Sequence, residues 1–403
     1  MSHIVVIGGG QAGASLVAKL RSEGFEGDIS LVCEEPVPPY QRPPLSKAYL
    51  LGEMQEERLY LRPGSFYDEH GIALRTGLRA GAIDRATKTV TAGGETIAYD
   101  QLALTTGSAP RRLPAAIGGA LSGLYTVRTL ADVDAMAHEF GEGRRALIVG
   151  GGYIGLEAAA VAAQKGLHVT LVEMTDRILK RVAAPETSVW FRDLHHAHGV
   201  DIREGAGLER LLGEDRVTGA RLGDGSEFDV DFVIVGVGIA PATHLAEAAG
   251  LDCSDGVLVD DRGRTSDASI WAAGDCTRFP FRGEMLRLES VQNAIDQAEA
   301  VARNMLGADA PYVPQPWFWS DQYDVHLQIA GLNTGYDRII VRPGDKDGSR
   351  SHWYYAGDRL LAVDAMNDAR AYMVGKRLLQ AGNSPGAEAI ADPATDLKAL
   401  LRA

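Results

Sequence analysis

The chain predicts an α/β protein with two parallel-sheet units followed by an α+β C-terminal domain, and three observations carry that prediction. Two glycine-rich runs of the same form each join a short apolar strand to a helix. Each is followed by a second strand that ends in an acid. Beyond Pro311, Pro314 and Pro316, aromatic residues (Trp317, Phe318, Trp319, Tyr323, Trp353, Tyr354, Tyr355) become denser and alternating segments such as Arg338 to Arg342 appear.

The first run places Ile4-Val5-Val6-Ile7 before Gly8-Gly9-Gly10-Gln11-Ala12-Gly13, and the second places Ala146-Leu147-Ile148-Val149 before Gly150-Gly151-Gly152-Tyr153-Ile154-Gly155. This is G-x-G-x-x-G between strand and helix. Its first glycine permits a tight turn, its second a close approach of pyrophosphate to backbone, and its third close packing of helix on strand. Free N–H groups at the helix start then attract phosphate charge. Leu16, Val17 and Leu20 follow the first loop at helical spacing, and Leu156, Ala160 and Ala163 follow the second.

The returning strands Ile29–Glu34 and His168–Glu173 both end in an acid suited to an adenosine ribose, about 20 residues beyond the third glycine. One such loop would be weak evidence; the whole series occurring twice points to two bound dinucleotides and electron transfer between them. Glu173 would repel a 2′-phosphate, so the second site is expected to prefer NADH to NADPH, with Arg177, Lys180 and Arg181 as cations able to oppose that preference.

Further strands are expected over Tyr99–Gly107, Phe232–Gly236 and Ser269–Asp275, with a linker at Pro110, Arg111, Arg112 and Pro114. The length of 403 residues allows two or three domains, and 45% hydrophobic with 23% charged residues is ordinary for a globular chain. With neither a basic, apolar leader nor about 18 unbroken apolar residues, a cytoplasmic protein that does not span a membrane is expected. A net charge of −14 argues against nucleic-acid binding.

Three cysteines (Cys33, Cys253, Cys276) without C-x-x-C exclude a disulfide framework and a cysteine-rich metal site; Cys33 and Cys276 read as packing residues. His195-His196-Ala197-His198 lacks companion ligands and reads as a solvated helical face, so no metal is expected.

GGGQAG, YQRPPLSKAYL (40–50), TTG (105–107), GGGYIGLEAA (150–159), GVGIAP (236–241), AAGDC (272–276), ESVQNA (289–294), PWFWSDQ (316–322) and the tail ADPATDLKAL (391–400) closely resemble the oxygenase-coupled, NADH-dependent ferredoxin reductases. That is the family of putidaredoxin reductase and the reductase components of aromatic-ring dioxygenases. The resemblance covers nearly the whole chain. It implies two Rossmann-like, glutathione-reductase-like dinucleotide domains: an FAD domain at 1–110 and 236–312, an NADH domain at 111–235, and a C-terminal domain at 313–403 covering the flavin.

By the same resemblance, FAD would touch Gly8, Gly10, Ala12, Gly13, Glu34, Arg42, Lys47, Ala80, Thr106, Gly107, Arg128, Gly274, Asp275, Val291 and Trp319. Ala80 would do so through its main chain and Val291 through its backbone beside the isoalloxazine. NADH would touch Gly150, Gly152, Tyr153, Ile154, Gly155, Glu157, Glu173 and Gly238. Lys47 near flavin N5, Glu157 paired with it, and Trp319 beside the flavin are the expected catalytic residues.

Nicotinamide gives up an electron pair and an iron–sulfur cluster accepts single electrons; FAD does both. The expected acceptor is a 2Fe-2S ferredoxin that docks transiently and serves a cytochrome monooxygenase or dioxygenase, the reductase itself being a monomer or homodimer. Arg62, Arg287 and Arg303 are candidate docking cations, set against an acid at Glu299. Three rivals remain: a thiol-dependent oxidase, peroxidase or disulfide reductase, disfavoured because residues 40–47 contain no cysteine; a rubredoxin reductase; and a redox-sensing flavoprotein resembling apoptosis-inducing factor.

Overall fold

The computed structural model describes residues 2–402, which form two compact units. The first comprises 1–42, 55–109 and 239–316. Its centre is a five-stranded parallel sheet in the order Ile270–Ala272, Gln101–Leu104, His3–Ile7, Asp28–Val32, Ile72–Arg75. The strand His3–Ile7 is central and almost wholly buried, which is why it reads as an unbroken apolar run rather than an alternating one. The helix Gln11–Ser22 buries Leu16, Val17 and Leu20 in one core with Ala298, Val301, Ala302 and Met305 of the helix Val291–Met305. A three-stranded antiparallel sheet, Ala80–Asp84, Thr89–Ala92 and Glu95–Ala98, completes this unit's larger elements.

The second unit comprises 43–54, 110–238 and 317–403. It repeats the parallel sheet, in the order Asp201–Glu204, His168–Glu173, Arg145–Val149, Phe232–Val235, Leu124–Tyr125. It also holds a five-stranded antiparallel sheet, Trp317–Gln322, Val325–Gly331, Arg359–Met366, Arg350–Ala356, Arg338–Pro343, packed against the helix Ala369–Ala381. The expected α/β class with an α+β C-terminal portion is therefore the observed one.

The unit boundaries differ from the expected domains in two respects. Pro43–Met54 belongs with the second unit because Ser46 and Lys47 bond Glu157, and Tyr49 donates to Asp134. Residues from Trp317 onward join the 110–238 segment instead of standing alone. There a buried network binds them: Thr187 hydrogen-bonds His352 at 2.7 Å and Asp364 at 3.0 Å, and the Ala184 N–H donates to Tyr354.

Candidate functional site

Each unit carries one glycine loop in the geometry its spacing demands. Gly8 (φ 117°) has no room for a side chain, since a Cβ would lie 2.1 Å from the Thr105 carbonyl oxygen. At Gly10 a Cβ would meet nothing within 4 Å, so the approach to the helix start is clear. The second loop repeats both features: a Cβ on Gly150 (φ 108°) would lie 2.4 Å from the Gly236 carbonyl oxygen, and Gly152 opens on clear space. No side chain caps either following helix, Gln11–Ser22 or Tyr153–Gln164, which leaves the first-turn N–H groups to point at a ligand. Both cradles thus fit a pyrophosphate.

In the first unit, Ala12 lies against Gly274, where a built Cβ would sit 3.0 Å from the Ala12 methyl, so only glycine lets the two segments meet. Next to it Asp275 accepts from the Ser108 hydroxyl at 3.1 Å. Arg42 pairs with Glu35 at 2.6 Å and donates to Tyr40; burial works against its charge, but Tyr40, Glu35 and Asp275 outweigh that and raise its proton affinity. Thr106 donates to the Ala242 carbonyl, and Gly107 adopts φ 68°. Val291 opens the helix whose N-cap, Ser290, accepts from Asn293 N–H. Ala80 begins an antiparallel strand, and Glu34 is exposed with Arg79 at 3.6 Å.

In the second unit, Glu173 is drawn into its loop: one carboxylate oxygen accepts from Gly151 N–H and the other from Thr175 N–H and hydroxyl, all at 2.8 Å. Arg177 donates to Ser188 and Lys180 pairs with Asp176, so both have partners near the loop. Gly238 (φ 99°) stands at the end of the neighbouring strand, and Ile154 is 45% exposed. Arg128 enters a capping box through its backbone, its N–H donating to Asp132 ahead of the helix Leu130–Ala137.

One turn into the helix Tyr153–Gln164, Glu157 is buried and fully engaged. Ser46 and Ser320 each donate to it at 2.7 Å, and the Lys47 ammonium lies 3.1 Å away. Burial raises its carboxyl above the usual range even against that ammonium. Lys47 also reaches Asp321 at 3.1 Å and sits 5.9 Å from the Trp319 ring centre. Burial pushes the Asp321 carboxyl up, but the His326 hydrogen bond and Lys47 outweigh it and hold it low. The Tyr153 ring lies tilted against Phe318, with ring centres 5.0 Å apart. Lys47, Glu157 and Trp319, expected from different segments, therefore meet within one unit.

Ser46, Ser320 and Asp321 were not anticipated as their partners. Asp321 and Ser320 lie inside PWFWSDQ and Ser46 inside PPLSK, but their reach to Glu157 and Lys47 is a tertiary fact. The histidine run needs a correction. His196 and His198 are exposed as expected, but His195 is fully buried, with Gln322 at 2.8 Å and Tyr323 at 3.2 Å. Helical periodicity turns one histidine of the run inward, where side-chain partners satisfy it. Among the described residues no cluster could hold a metal ion, and no helix is long and apolar enough to cross a membrane.

All three cysteines are free, with Cys33 and Cys276 buried. Burial pushes the Cys33 thiol up to about 12 and Cys253 to about 11, so neither is poised as a thiolate. Of the candidate docking cations, Arg287 pairs with Glu289 and Asp255, Arg303 with Glu23 and Glu299, and Arg62 lies over the Phe66 ring.

Two dinucleotide cradles, a buried ammonium–carboxylate pair and cysteines held as thiols define an oxidoreductase that works with a flavin and a nicotinamide nucleotide. The chain belongs to the pyridine nucleotide-disulphide oxidoreductase family, whose model matches residues 2–298, and the reductase C-terminal model matches 317–401. Enzymes of this kind use FAD and NAD(P)H. The chain is 44% identical to the 5,5′-dehydrodivanillate O-demethylase ferredoxin reductase subunit of Sphingobium sp., over 99% of this chain and 98% of that one. It is 39% identical to putidaredoxin reductase of Pseudomonas putida, covering 100% and 97%. The solved covalent putidaredoxin reductase–putidaredoxin complex matches with a TM-score of 0.95 and 38% identity, over 100% of this chain and 98% of that one.

Proposed function

We propose that this protein is an FAD-dependent NADH:ferredoxin oxidoreductase that feeds an oxygenase. FAD supplies the ability to accept a hydride pair and release electrons singly. In this reading 1–110 with 236–312 is the FAD domain, 111–235 the NADH domain and 313–403 the C-terminal domain. The helix start after Gly8 and Gly10, with Gly13 in its first turn, holds one pyrophosphate, with Ala12 and Gly274 close-packed beside it. Glu34 takes the ribose, Asp275 the ribityl chain, and Arg42, Ala80, Thr106, Gly107, Arg128 and Val291 the remaining FAD contacts.

The helix start after Gly150 and Gly152, with Gly155 in its first turn, holds NADH, flanked by Tyr153, Ile154 and Gly238. Glu173, already an acceptor for Gly151, meets the adenosine ribose and rejects a 2′-phosphate by repulsion.

The observation that carries the reading is that the helix with the second phosphate cradle at its start bears Glu157 one turn later, paired with Lys47. That spacing supports reading the charge pair as lying toward the reactive end of the bound dinucleotide. Lys47 stabilises negative charge developing during hydride transfer, Glu157 orients Lys47, and Trp319 lines the same site. Single electrons pass to a 2Fe-2S ferredoxin that docks transiently. The protein acts in the cytoplasm as a monomer or homodimer.

Anaerobic titration tests this. NADH bleaches the bound flavin, NADPH does so far more slowly, and added ferredoxin restores the colour while becoming reduced. Purified protein that retains no flavin would sink the reading; reduction of rubredoxin in preference to ferredoxin would change the acceptor alone.

A further inference from the structure

A second hydrogen-bond chain leads away from Glu157 through Ser320. Ser320 donates to Glu157 at 2.7 Å, the Gln322 amide bonds the Ser320 hydroxyl at 3.1 Å, and His195 Nε2 lies 2.8 Å from the Gln322 carbonyl oxygen. Tyr323 closes the chain on His195 Nδ1 at 3.2 Å. Ser320, Gln322 and His195 are all fully buried. Ser320 and Gln322, two apart in one strand, face the same side, which lets their side chains meet.

The ionic end dictates every proton. The Lys47 ammonium fixes Glu157 Oε1 as an acceptor, so the single Ser320 proton points at Glu157. Ser320 can then only accept from Gln322, which must present its NH₂ there and its carbonyl to His195. That carbonyl requires a proton on Nε2. A neutral ring then offers Nδ1 as an acceptor, and Tyr323 donates. Burial lowers the His195 proton affinity to about 4, which keeps the ring neutral.

We propose that His195 is a positioning residue for Glu157: its Nε2–H locks Gln322, and through Ser320 this keeps a third hydrogen-bond donor on the carboxylate. The proposal rests on the reading of Glu157 as the carboxylate beside hydride transfer. Without the His195 donor the Gln322 amide is free to turn over. Its carbonyl then competes with Glu157 for the Ser320 proton, so the carboxylate keeps its third donor only part of the time. A carboxylate that loses one donor holds its own proton more tightly.

The surrounding charges do not duplicate this role. Glu157 is faced by Ser46 and Lys47 from residues 43–54 and by Ser320 from the strand Trp317–Gln322, with Asp321 and its partner His326 acting only through Lys47; Tyr153 lies one turn earlier on the same helix. His195 is faced by Gln322 and Tyr323, with His196 and His198 beyond.

The test uses the flavin-loaded protein. Histidine ¹⁵N NMR of the wild type, without substrate, should show His195 as the neutral Nε2–H tautomer. In the pH profile of flavin bleaching by NADH, His195→Leu should move the carboxylate limb upward by about one pH unit. Gln322→Leu, which removes the competing carbonyl, should leave the limb near its wild-type place, and adding it to His195→Leu should bring the limb back. His195→Gln, which keeps an N–H for Gln322, should restore the wild-type profile. An Nδ1–H tautomer, or an unmoved His195→Leu profile with wild-type bleaching intact, overturns this proposal alone. A wild type that NADH cannot bleach overturns the functional reading, and this role of His195 with it. Should His195→Leu fail to fold, the tautomer and the His195→Gln profile still decide.

Discussion

The two glycine loops are near copies in sequence, yet their surroundings have diverged. In the first, the position one turn into the helix is Ser15, which accepts from Gln11 of its own helix at 3.4 Å. In the second, the equivalent position is Glu157, buried and held by three side chains. The acids ending the second strands differ in the same sense. Glu34 is exposed and untied from its loop, whereas Glu173 accepts from the loop backbone. A phosphate cradle is thus a generic device made by backbone. Whether the site holds a resident cofactor or handles a reacting one is written in the side chains around it.

Removing the Lys47 ammonium should break this contrast most strongly. Lys47→Ala leaves a buried carboxylate without its counter-charge, and flavin bleaching by NADH should slow on the order of 10²-fold or more in stopped-flow. An unchanged rate would remove Lys47 from the mechanism. The cradles themselves can be separated next. Gly10→Val and Gly152→Val both place methyls in space clear of protein, so both variants should fold. The first should emerge colourless, while the second should stay yellow and lose response to NADH on the order of 10²-fold. Equal loss of colour in both would mean the two loops do not divide the cofactors.

A smaller effect is expected at the acids. Glu173→Gln should narrow the preference for NADH over NADPH about tenfold, read as a ratio of kcat/KM values. Glu34→Gln, at an exposed carboxylate, should weaken flavin retention by less than that. A further signal is read in stability rather than rate. His195 binds its proton only near pH 4 when folded, against an ordinary 6.5. As pH falls below 6.5 the unfolded chain takes up a proton that the folded one refuses, and stability drops until about 4. His195→Gln lacks this contribution. Its unfolding free energy should fall less steeply across that window, by at most about 1.4 kcal/mol per pH unit, while Glu157 and Asp364 titrate alike in both proteins.

Much of this was legible in the residues. Both strand–loop–helix–strand units have local causes: apolar β-branched runs, glycines where no side chain fits, and helical spacing after them. Glu173 could be chosen from its place at a strand end. Lys47 and Glu157 could be named only through resemblance, because they lie far apart in the chain and their pairing is a contact of distant segments. His195 was misjudged for the same cause. A histidine among histidines looks solvated unless the sheet that covers it is known.

What the sequence determined by itself was the pair of parallel-sheet units, their glycine cradles and the absence of a thiol motif, since these follow from short-range sterics and periodicity. Tertiary structure alone decided that residues 43–54 and the C-terminal sheet join the second cradle, and that Ser46, Ser320 and Lys47 converge on one carboxylate. Burying a charge demands partners from wherever the fold can bring them, and no local pattern records which segments those will be.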